Sequence, residues 1–464
     1  MQSEDLAGPS ASGSNSLIQQ KKSEWDHLPT DALERIFSFL THKDRSRASV
    51  VCKSWAEAYE SPSLWKSPVF RFSKNQHCKP KFNPRHVVNR YGRFFRKLTI
   101  MYKRPGCHNH KFIAKQISDF LHCLAEEGVQ INSIRMPRLM IVAEHCSRQM
   151  TCDKMVDFLK IQTGLTHVDF TNGRTLQTPG LQILENLVPD NIQHLKLQNF
   201  FETQFSGITS EERYLTTISR FHSLRTLSLN YNYLSDEVMS CLAIHLRGHL
   251  EVFSILCKKC GSISNVISDQ SWTALKKKCP KMRVHFRLEL EDLRTTYVIN
   301  SNILSPVMPV VSMQYILANT WTMTYDQPIF DYLTKTFSGT LREAEFELQG
   351  IDDDDVRSGI TEIVDKCSLL ENLNLRVRFP FFEMQELFDS ILGALFQQMM
   401  DKGTLSLKEF RATFRGLCPD RRKVGIFLQK IYVPRQYPSL NSIVKLYRKL
   451  IEKKVGYTIQ KWNL

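Results

Sequence analysis

The sequence predicts an α/β protein: a small N-terminal helical domain followed by a curved solenoid of parallel strands and helices. Three observations carry that expectation. Large apolar residues between positions 25 and 66 recur at helical spacing. An apolar triplet spaced i, i+3, i+5 recurs from residue 95 onward. The positive charge sits almost wholly around the junction of these two patterns.

A length of 464 residues allows two to four domains or one extended array, and 42% hydrophobic content supplies a core and excludes wholesale disorder. Twelve cysteines in such a chain fall far below the density of a small disulfide scaffold. No charged-then-apolar segment opens the sequence, so no signal peptide is expected. The most apolar long stretch, Ile303–Leu317, is cut by Pro306 and Pro309 and is too short to span a bilayer. The expectation is a soluble protein of a reducing compartment, cytoplasmic or nuclear, with no membrane partner.

The elements follow in order. Residues 1–23 are rich in Ser, Gly, Ala and Gln and offer little to bury, which predicts a disordered tail. Beyond it, a helical domain is expected over 24–67. Thr30 is a plausible N-cap for a helix carrying Leu33, Ile36, Phe37 and Leu40 on one face. Asp44 can cap a second helix running through Ala48, Val51, Cys52 and Trp55, and Ser61-Pro62-Ser63 reads as a turn before Leu64-Trp65. So much apolar area in about forty residues cannot all be buried internally, which predicts an interface that accepts a partner's helices.

These residues resemble the F-box: Leu28-Pro29 at the entry, Ile36-Phe37 with Leu40, Val51-Cys52-Lys53-Ser54-Trp55, and a closing Leu64-Trp65. The match covers about a tenth of the chain. The resemblance implies docking on the Skp adaptor of a cullin–RING ubiquitin ligase. The residues expected to contact that adaptor are Leu28, Pro29, Leu33, Ile36, Phe37, Leu40, Val51, Cys52 and Trp55. Some of them must instead hold the domain together, and the sequence does not separate the two sets.

Net charge is +15, but it is not spread evenly: residues 61–118 hold fourteen Lys and Arg and no Asp or Glu. Phe70, Phe72, Phe82, Tyr91, Phe94, Phe95 and Tyr102 are interleaved among them. This segment could be a solvated face, a site for an acidic or phosphorylated protein, or a surface for nucleic acid or membrane. Its residues 68–92 are expected to be a basic linker.

From 93 to 441 a strand–helix array is expected. The triplet appears as Phe95-Leu98-Ile100, Ile131-Ile134-Met136, Leu165-Val168-Phe170, Ile192-Leu195-Leu197, Leu224-Leu227-Leu229 and Leu250-Phe253-Ile255. It returns as Leu370-Leu373-Leu375, with weaker copies at Leu341-Ala344-Phe346 and Leu407-Phe410-Ala412. In the clearest copy, Asn230 and Asn232 suit the turn after the strand and Ser235 can cap the next helix. This looks like degenerate leucine-rich repeats, each burying its apolar face against its neighbours. Strand residues between the apolar positions should line a protein-binding surface, among them His167, Asp169, His194, Lys196, Thr226, Ser228, Ser254, Asn372 and Asn374. A substrate is expected at Arg93, Arg96, Lys97, His194, Lys196, Thr226 and Ser228. The prolines Pro306, Pro309 and Pro328 make 281–337 fit the repeat poorly, as a bent or inserted segment would. Residues 442–464 are expected to form a capping helix and a final strand.

Catalytic motifs do not emerge. The sequence holds no G-x-x-x-x-G-K-[ST], G-x-S-x-G or H-E-x-x-H, and no cysteine sits in a pattern that would depress its pKa. Cys257 and Cys260 have zinc-knuckle spacing, but Cys279 and His285 do not make a second closed pair. The cluster His77, Cys78, His86, Cys107, His108 and His110 fits no zinc template. Asp352–Asp355 lacks the Gly and Glu of a calcium loop in either register and suits a helix N-terminus. No cofactor or metal is expected. The reading is a non-catalytic substrate receptor of a Skp–cullin–F-box ubiquitin ligase, with an unidentified protein substrate. A repeat scaffold or nucleic-acid-associated protein without ligase function is the alternative.

Overall fold

In a computed structural model the described residues are 28–72, 84–102, 110–138, 145–202, 211–258, 266–290, 303–317, 327–349, 353–380, 409–417 and 426–433. The expected tail over 1–23 and the capping segment over 442–464 lie outside them. The chain divides into two compact units at Pro68/Val69.

The first unit is helical: α1 (Thr30–Phe39), α2 (His42–Ala48), α3 (Lys53–Tyr59) and α4 (Pro62–Trp65). Its order departs from the sequence reading in four places. Pro29, not Thr30, is the residue that precedes α1. The Thr41 hydroxyl caps α2 by accepting from the Asp44 amide at 3.3 Å, so Asp44 lies inside the first turn instead of capping it. The expected long second helix is two helices. Ser49 to Cys52 interrupt them, because Cys52 is fully extended (φ −155°, ψ 172°). The expected turn at 61–63 opens α4, where Ser61 caps and Pro62 takes the first helical position.

The core of this unit is aromatic. Leu33 and Phe37 of α1 are fully buried, and the Phe37 ring meets Trp55 edge-on with centroids 5.6 Å apart. Trp65 donates its indole N–H to the Tyr59 carbonyl at 2.9 Å and meets the His42 ring at 4.8 Å.

Among the described residues, the second unit forms one thirteen-stranded sheet in strictly sequential order. Its strands are β1 (Val69–Phe72), β2 (Lys97–Tyr102), β3 (Ser133–Arg135), β4 (His167–Asp169), β5 (His194–Lys196), β6 (Thr226–Asn230), β7 (Val252–Lys258), β8 (Arg283–Leu290), β9 (Val310–Leu317), β10 (Glu343–Gln349), β11 (Asn372–Pro380), β12 (Glu409–Leu417) and β13 (Ile426–Val433). Pairing is parallel from β1 to β12, and β13 closes the order antiparallel to β12. The crossover helices include α5 (Pro84–Tyr91), α6 (His110–Glu126), α7 (His145–Lys160), α8 (Gln177–Glu185), α9 (Glu212–Ser219), α10 (Asp236–His245), α11 (Asp269–Lys278), α12 (Gln327–Phe337) and α13 (Asp353–Lys366).

The six leading triplets are buried throughout. Each begins just ahead of a strand and supplies its inward residues, so stacking units bury what one unit could not. Two expectations need correction. In the stretch 68–92, expected as a linker, Val69–Phe72 instead pairs with β2 and Pro84–Tyr91 is helical, while 73–83 lies outside the described residues. Within 281–337, where a bent or inserted segment was expected, β8 and β9 continue the parallel order with a register shift at Val284/His285, and 291–302 and 318–326 lie outside the described residues. The prolines that argued against helices sit before β9 and in the first turn of α12, where they break nothing.

An asparagine row fixes the turns that follow β4, β5 and β6. Asn172 and Asn199 adopt positive φ, at 60° and 52°, a conformation asparagine tolerates better than most residues. Asn199 donates to the Asn172 side chain at 2.8 Å, and Asn230 donates to Asn199 at 3.0 Å. Asn230 in turn accepts from the Asn199 backbone N–H at 2.6 Å. After this turn Ser235 caps α10, accepting from the Val238 amide at 3.3 Å.

Candidate functional site

Two surfaces carry the residues of interest, one in each unit. In the helical unit, burial divides the nine expected adaptor-contact residues. Leu33 and Phe37 face the core and are closed to solvent, so they are corrected from contact residues to core residues. The reason lies in the helix period: they are four apart and sit on the inward stripe of α1. Ile36 is 36% exposed and Val51 60% exposed, and Pro29 is exposed as well. Leu28, Leu40, Cys52 and Trp55 are half-buried.

Sequence reading missed Phe39 and Val50, which are 76% and 83% exposed. The available signal was their adjacency: Phe39 lies one helical turn beyond Ile36, and Val50 is next to Val51. Of the nine large apolar side chains exposed among the described residues, four (Ile36, Phe39, Val50 and Val51) fall within sixteen positions of this small unit. A folded unit with its own aromatic core has no internal use for them.

Arg45 was also missed. Its guanidinium donates to the carbonyls of Phe37 at 2.6 Å, Leu64 at 3.1 Å and Ser38 at 3.2 Å, tying the C-terminal end of α1 to α4. Carbonyls at a helix end suit a fixed cationic fork, and that of Phe37 also accepts from the Leu40 amide at 3.0 Å. Desolvation in this setting pulls the Arg45 pKa down. Nothing in the local sequence marks Arg45, because its partners are seven to nineteen residues away.

In the sheet unit, the register places Lys97, Ser133, His167, His194 and Thr226 in one row across β2 to β6. Lys196 lies one row along, beside Asp169 and Ser228. The buried residues of these strands, Leu98, Ile134, Val168, Leu195 and Leu227, alternate with them and point the other way. His167 and His194 stack with centroids 4.1 Å apart and planes 21° apart. Thr166 Oγ1 contacts Nδ1 of His167 at 2.7 Å, and Thr226 Oγ1 contacts Nδ1 of His194 at 3.0 Å. Burial lowers the pKa of His167, with Lys97 and Lys196 pushing the same way. Burial does so for His194 too, reinforced by His167, Lys196 and Arg225 against Glu251.

The expected substrate residues are not all together. Lys97, His194, Lys196 and Thr226 share this face. Ser228 is on it but only 4% exposed, so it is corrected from a contact residue to a buried one. Arg93 and Arg96 sit in the turn before β2 and are engaged locally. Arg93 covers the Phe94 ring at 4.7 Å, and Arg96 donates to the carbonyls of Arg93 and Phe95.

The interleaved aromatics of the basic segment resolve mostly as core. Phe70 packs on Phe95 at 5.8 Å and on Phe120 at 4.6 Å, and Phe72 packs on Phe120. Phe82, with Lys74, Lys79, Lys81, Lys103 and Arg104, lies outside the described residues. So do Cys260, His77, Cys78, Cys107 and His108 of the cysteine and histidine clusters. Cys257 is buried in β7 and Cys279 follows α11, also buried. Asp353, Asp354 and Asp355 of the acidic run open α13, and Asp352 lies outside the described residues. No described helix is long and apolar enough to cross a membrane.

Comparison with known proteins agrees with this division. Residues 25–71 match the family model for F-box-like domains. F-box/LRR-repeat protein 21 of Ovis aries is 25% identical over 299 residues, covering 61% of this chain and 64% of the relative. F-box only protein 33 of Mus musculus is 23% identical over 347 residues, covering 62% of this chain and 59% of the relative. The chain thus spans roughly three fifths of the length of these relatives. A solved structure described as a Rad7 and Elc1 complex in yeast is 13% identical, covers 80% of this chain and 81% of its own, and has a TM-score of 0.37. That likeness is too slight to bear on fold or function.

Proposed function

We propose that this chain, an F-box protein with leucine-rich-repeat-like strand–helix units, is the substrate-recognition subunit of a Skp–cullin–F-box ubiquitin ligase. Ile36, Phe39, Val50 and Val51 dock on the Skp adaptor, and the sheet unit holds a protein substrate. The exposure of those four apolar side chains on a unit with a closed core is the observation that carries the reading. The F-box-like match over 25–71 supports it independently.

The mechanism is positional. A substrate held on the sheet face presents its lysines to a conjugating enzyme brought by other subunits, and the transfer becomes effectively intramolecular. The chain itself supplies binding energy and orientation. Cytoplasm or nucleus is the proposed site of action, where free thiols such as those of Cys257, Cys279 and Cys367 persist.

The test is retention of the purified full chain on immobilised Skp adaptor. Wild type is expected to bind, and a Phe39→Ser/Val51→Ser variant is expected to lose binding while keeping its circular-dichroism spectrum and melting profile. A wild type that fails to bind, or a folded variant that binds equally well, overturns the reading.

A further inference from the structure

We propose that the turns after α10 and α11 form a contact surface for an anionic bilayer, carried by Arg247, Lys276, Lys277, Lys278 and Lys281 together with the exposed side chain of Ile244. The inference goes beyond the ligase reading and does not depend on it. The expectation of no membrane partner rested on the lack of a spanning stretch, and a peripheral contact needs none.

Placement is the first argument. Both α10 and α11 are ten residues long, and each is opened by a serine cap, Ser235 and Ser268. They pack side by side, and Ile244 of α10 holds the position that Lys277 holds in α11, one residue before the helix end. Strands β7 and β8 pair in parallel, which puts the two helix-to-strand turns on one edge of the sheet. The turns meet there, since a Cβ on Gly248 would stand 3.1 Å from the Lys278 carbonyl oxygen. Ile244 is 70% exposed, and all five cations are exposed as well.

Charge is the second argument. None of the five enters an ion pair among the described residues, and the sequence holds no Asp or Glu between Asp269 and Glu289. Elsewhere on this edge the cations are matched: Arg225 by Glu251 at 3.2 Å, Lys335 by Asp331 at 3.9 Å, Arg342 by Glu371 at 2.8 Å, and Lys366 by Glu362. The helix dipole favours lysines in a last turn, but it accounts neither for the missing counterions nor for Arg247 and Lys281, which lie beyond the helices.

Cations beside an exposed aliphatic side chain select the partner. Anionic headgroups take the ammonium groups, the lysine stems lie along the interface, and Ile244 enters the acyl boundary. Nucleic acid gives the isoleucine no such place. Single strands call for exposed rings, and Phe253, Trp272 and Phe286 of these units are buried. Four of the five cations are lysines, which act as point charges, whereas forked recognition of individual phosphates favours arginine.

The test is flotation of the full chain with vesicles of phosphatidylcholine alone or with about 30% phosphatidylserine, at about 0.1 M and 0.5 M salt. Binding is expected only with phosphatidylserine and is expected to fall at the higher salt. Each Lys or Arg near such a surface tightens binding about fivefold, so Lys276→Gln/Lys277→Gln/Lys281→Gln should weaken it by well over about tenfold. Lys66→Gln/Arg71→Gln/Lys115→Gln removes as much charge from exposed positions elsewhere and should bind nearly as wild type does. Ile244→Ser is expected to weaken vesicle binding while leaving anisotropy-measured binding of a labelled DNA duplex and a labelled glutamate-rich peptide unchanged. All variants are compared at wild-type circular dichroism. Equal binding to phosphatidylcholine, equal losses in the two triple variants, vesicle binding indifferent to Ile244→Ser, or tighter binding of duplex or peptide than of vesicles at matched anionic charge overturns the proposal.

Discussion

The side-chain amide of Asn230 donates to that of Asn199 at 3.0 Å while its oxygen accepts the Asn199 backbone N–H at 2.6 Å. Both residues are buried, so water cannot replace either bond. Removing the Asn230 amide leaves a buried N–H and a buried amide oxygen without partners. An Asn230→Ala variant is expected to lose about 1–3 kcal/mol of stability. Asn232, two residues on and less buried, makes no such bridge, and Asn232→Ala should change stability by about 0.5 kcal/mol at most. Urea-unfolding midpoints of the two variants decide the matter; similar losses would show that the asparagine row does not hold the turns.

Arg45 supplies a second case of a polar side chain holding helix ends. It reaches three carbonyls from one guanidinium, and no lysine rotamer can reproduce that fork. Arg45→Met is expected to destabilise the helical unit by about 1–3 kcal/mol, because hydrogen bonds from a charged donor are lost and the carbonyls remain partly buried. Arg45→Lys should recover only part of this. Full recovery by lysine, measured by thermal unfolding of the full chain, would place the effect in charge alone.

Sequence patterning made the array legible because its core is local. Each triplet, such as Leu224-Leu227-Leu229, writes one strand's buried positions within six residues. The helical unit was legible through the same spacing, but its burial was not: Ile36 and Phe37 are neighbours in sequence, and only the packing of α1 on α3 and α4 decides which one is closed. The contacts of Arg45 and the stacking of His167 on His194 join residues seven to twenty-seven positions apart. No local pattern encodes them. The early strand β1 escaped notice because its pair Phe70 and Phe72 alternates correctly but lies inside a run of cations that reads as a linker.

Protonation of the histidine pair should weaken the fold. Burial, first, and the neighbouring cations hold both imidazoles below their ordinary pKa of about 6.5. Burial lowers His285 as well, with Arg283 adding and Glu343 opposing. In this window the unfolded chain binds more protons than the folded one, so stability is full above about pH 6.5 and falls as pH drops through it. Urea midpoints are expected to decline between about pH 7 and pH 5, and less steeply in a His167→Gln/His194→Gln variant. A stability that rises on acidification over this range would contradict the assigned burial. So would histidine ring resonances that titrate above the ordinary value.

Gly180 offers a test of how tightly the repeats stack. It lies in α8, and a Cβ there would stand 2.4 Å from Thr175 Oγ1 and 2.5 Å from Cε1 of Phe201. Neither neighbour is free to retreat. Thr175 donates to the Phe200 carbonyl at 3.0 Å, and the Phe201 ring is packed edge-on against Tyr233 at 5.4 Å. Tyr233 in turn donates its hydroxyl to the Phe201 carbonyl at 3.0 Å. Alanine in a helix is ordinarily favoured over glycine by about 1 kcal/mol, but overpacking a closed core costs about 1–3 kcal/mol, so the clash prevails. Gly180→Ala is therefore expected to lower the unfolding midpoint. Gly339→Ala, where nothing lies within 4 Å of the added carbon, should leave it unchanged or slightly raised. If both substitutions raise the midpoint, the strand–helix units have room to slide apart at α8, and the close packing of Phe201 on the Gly180 backbone is not what fixes their spacing.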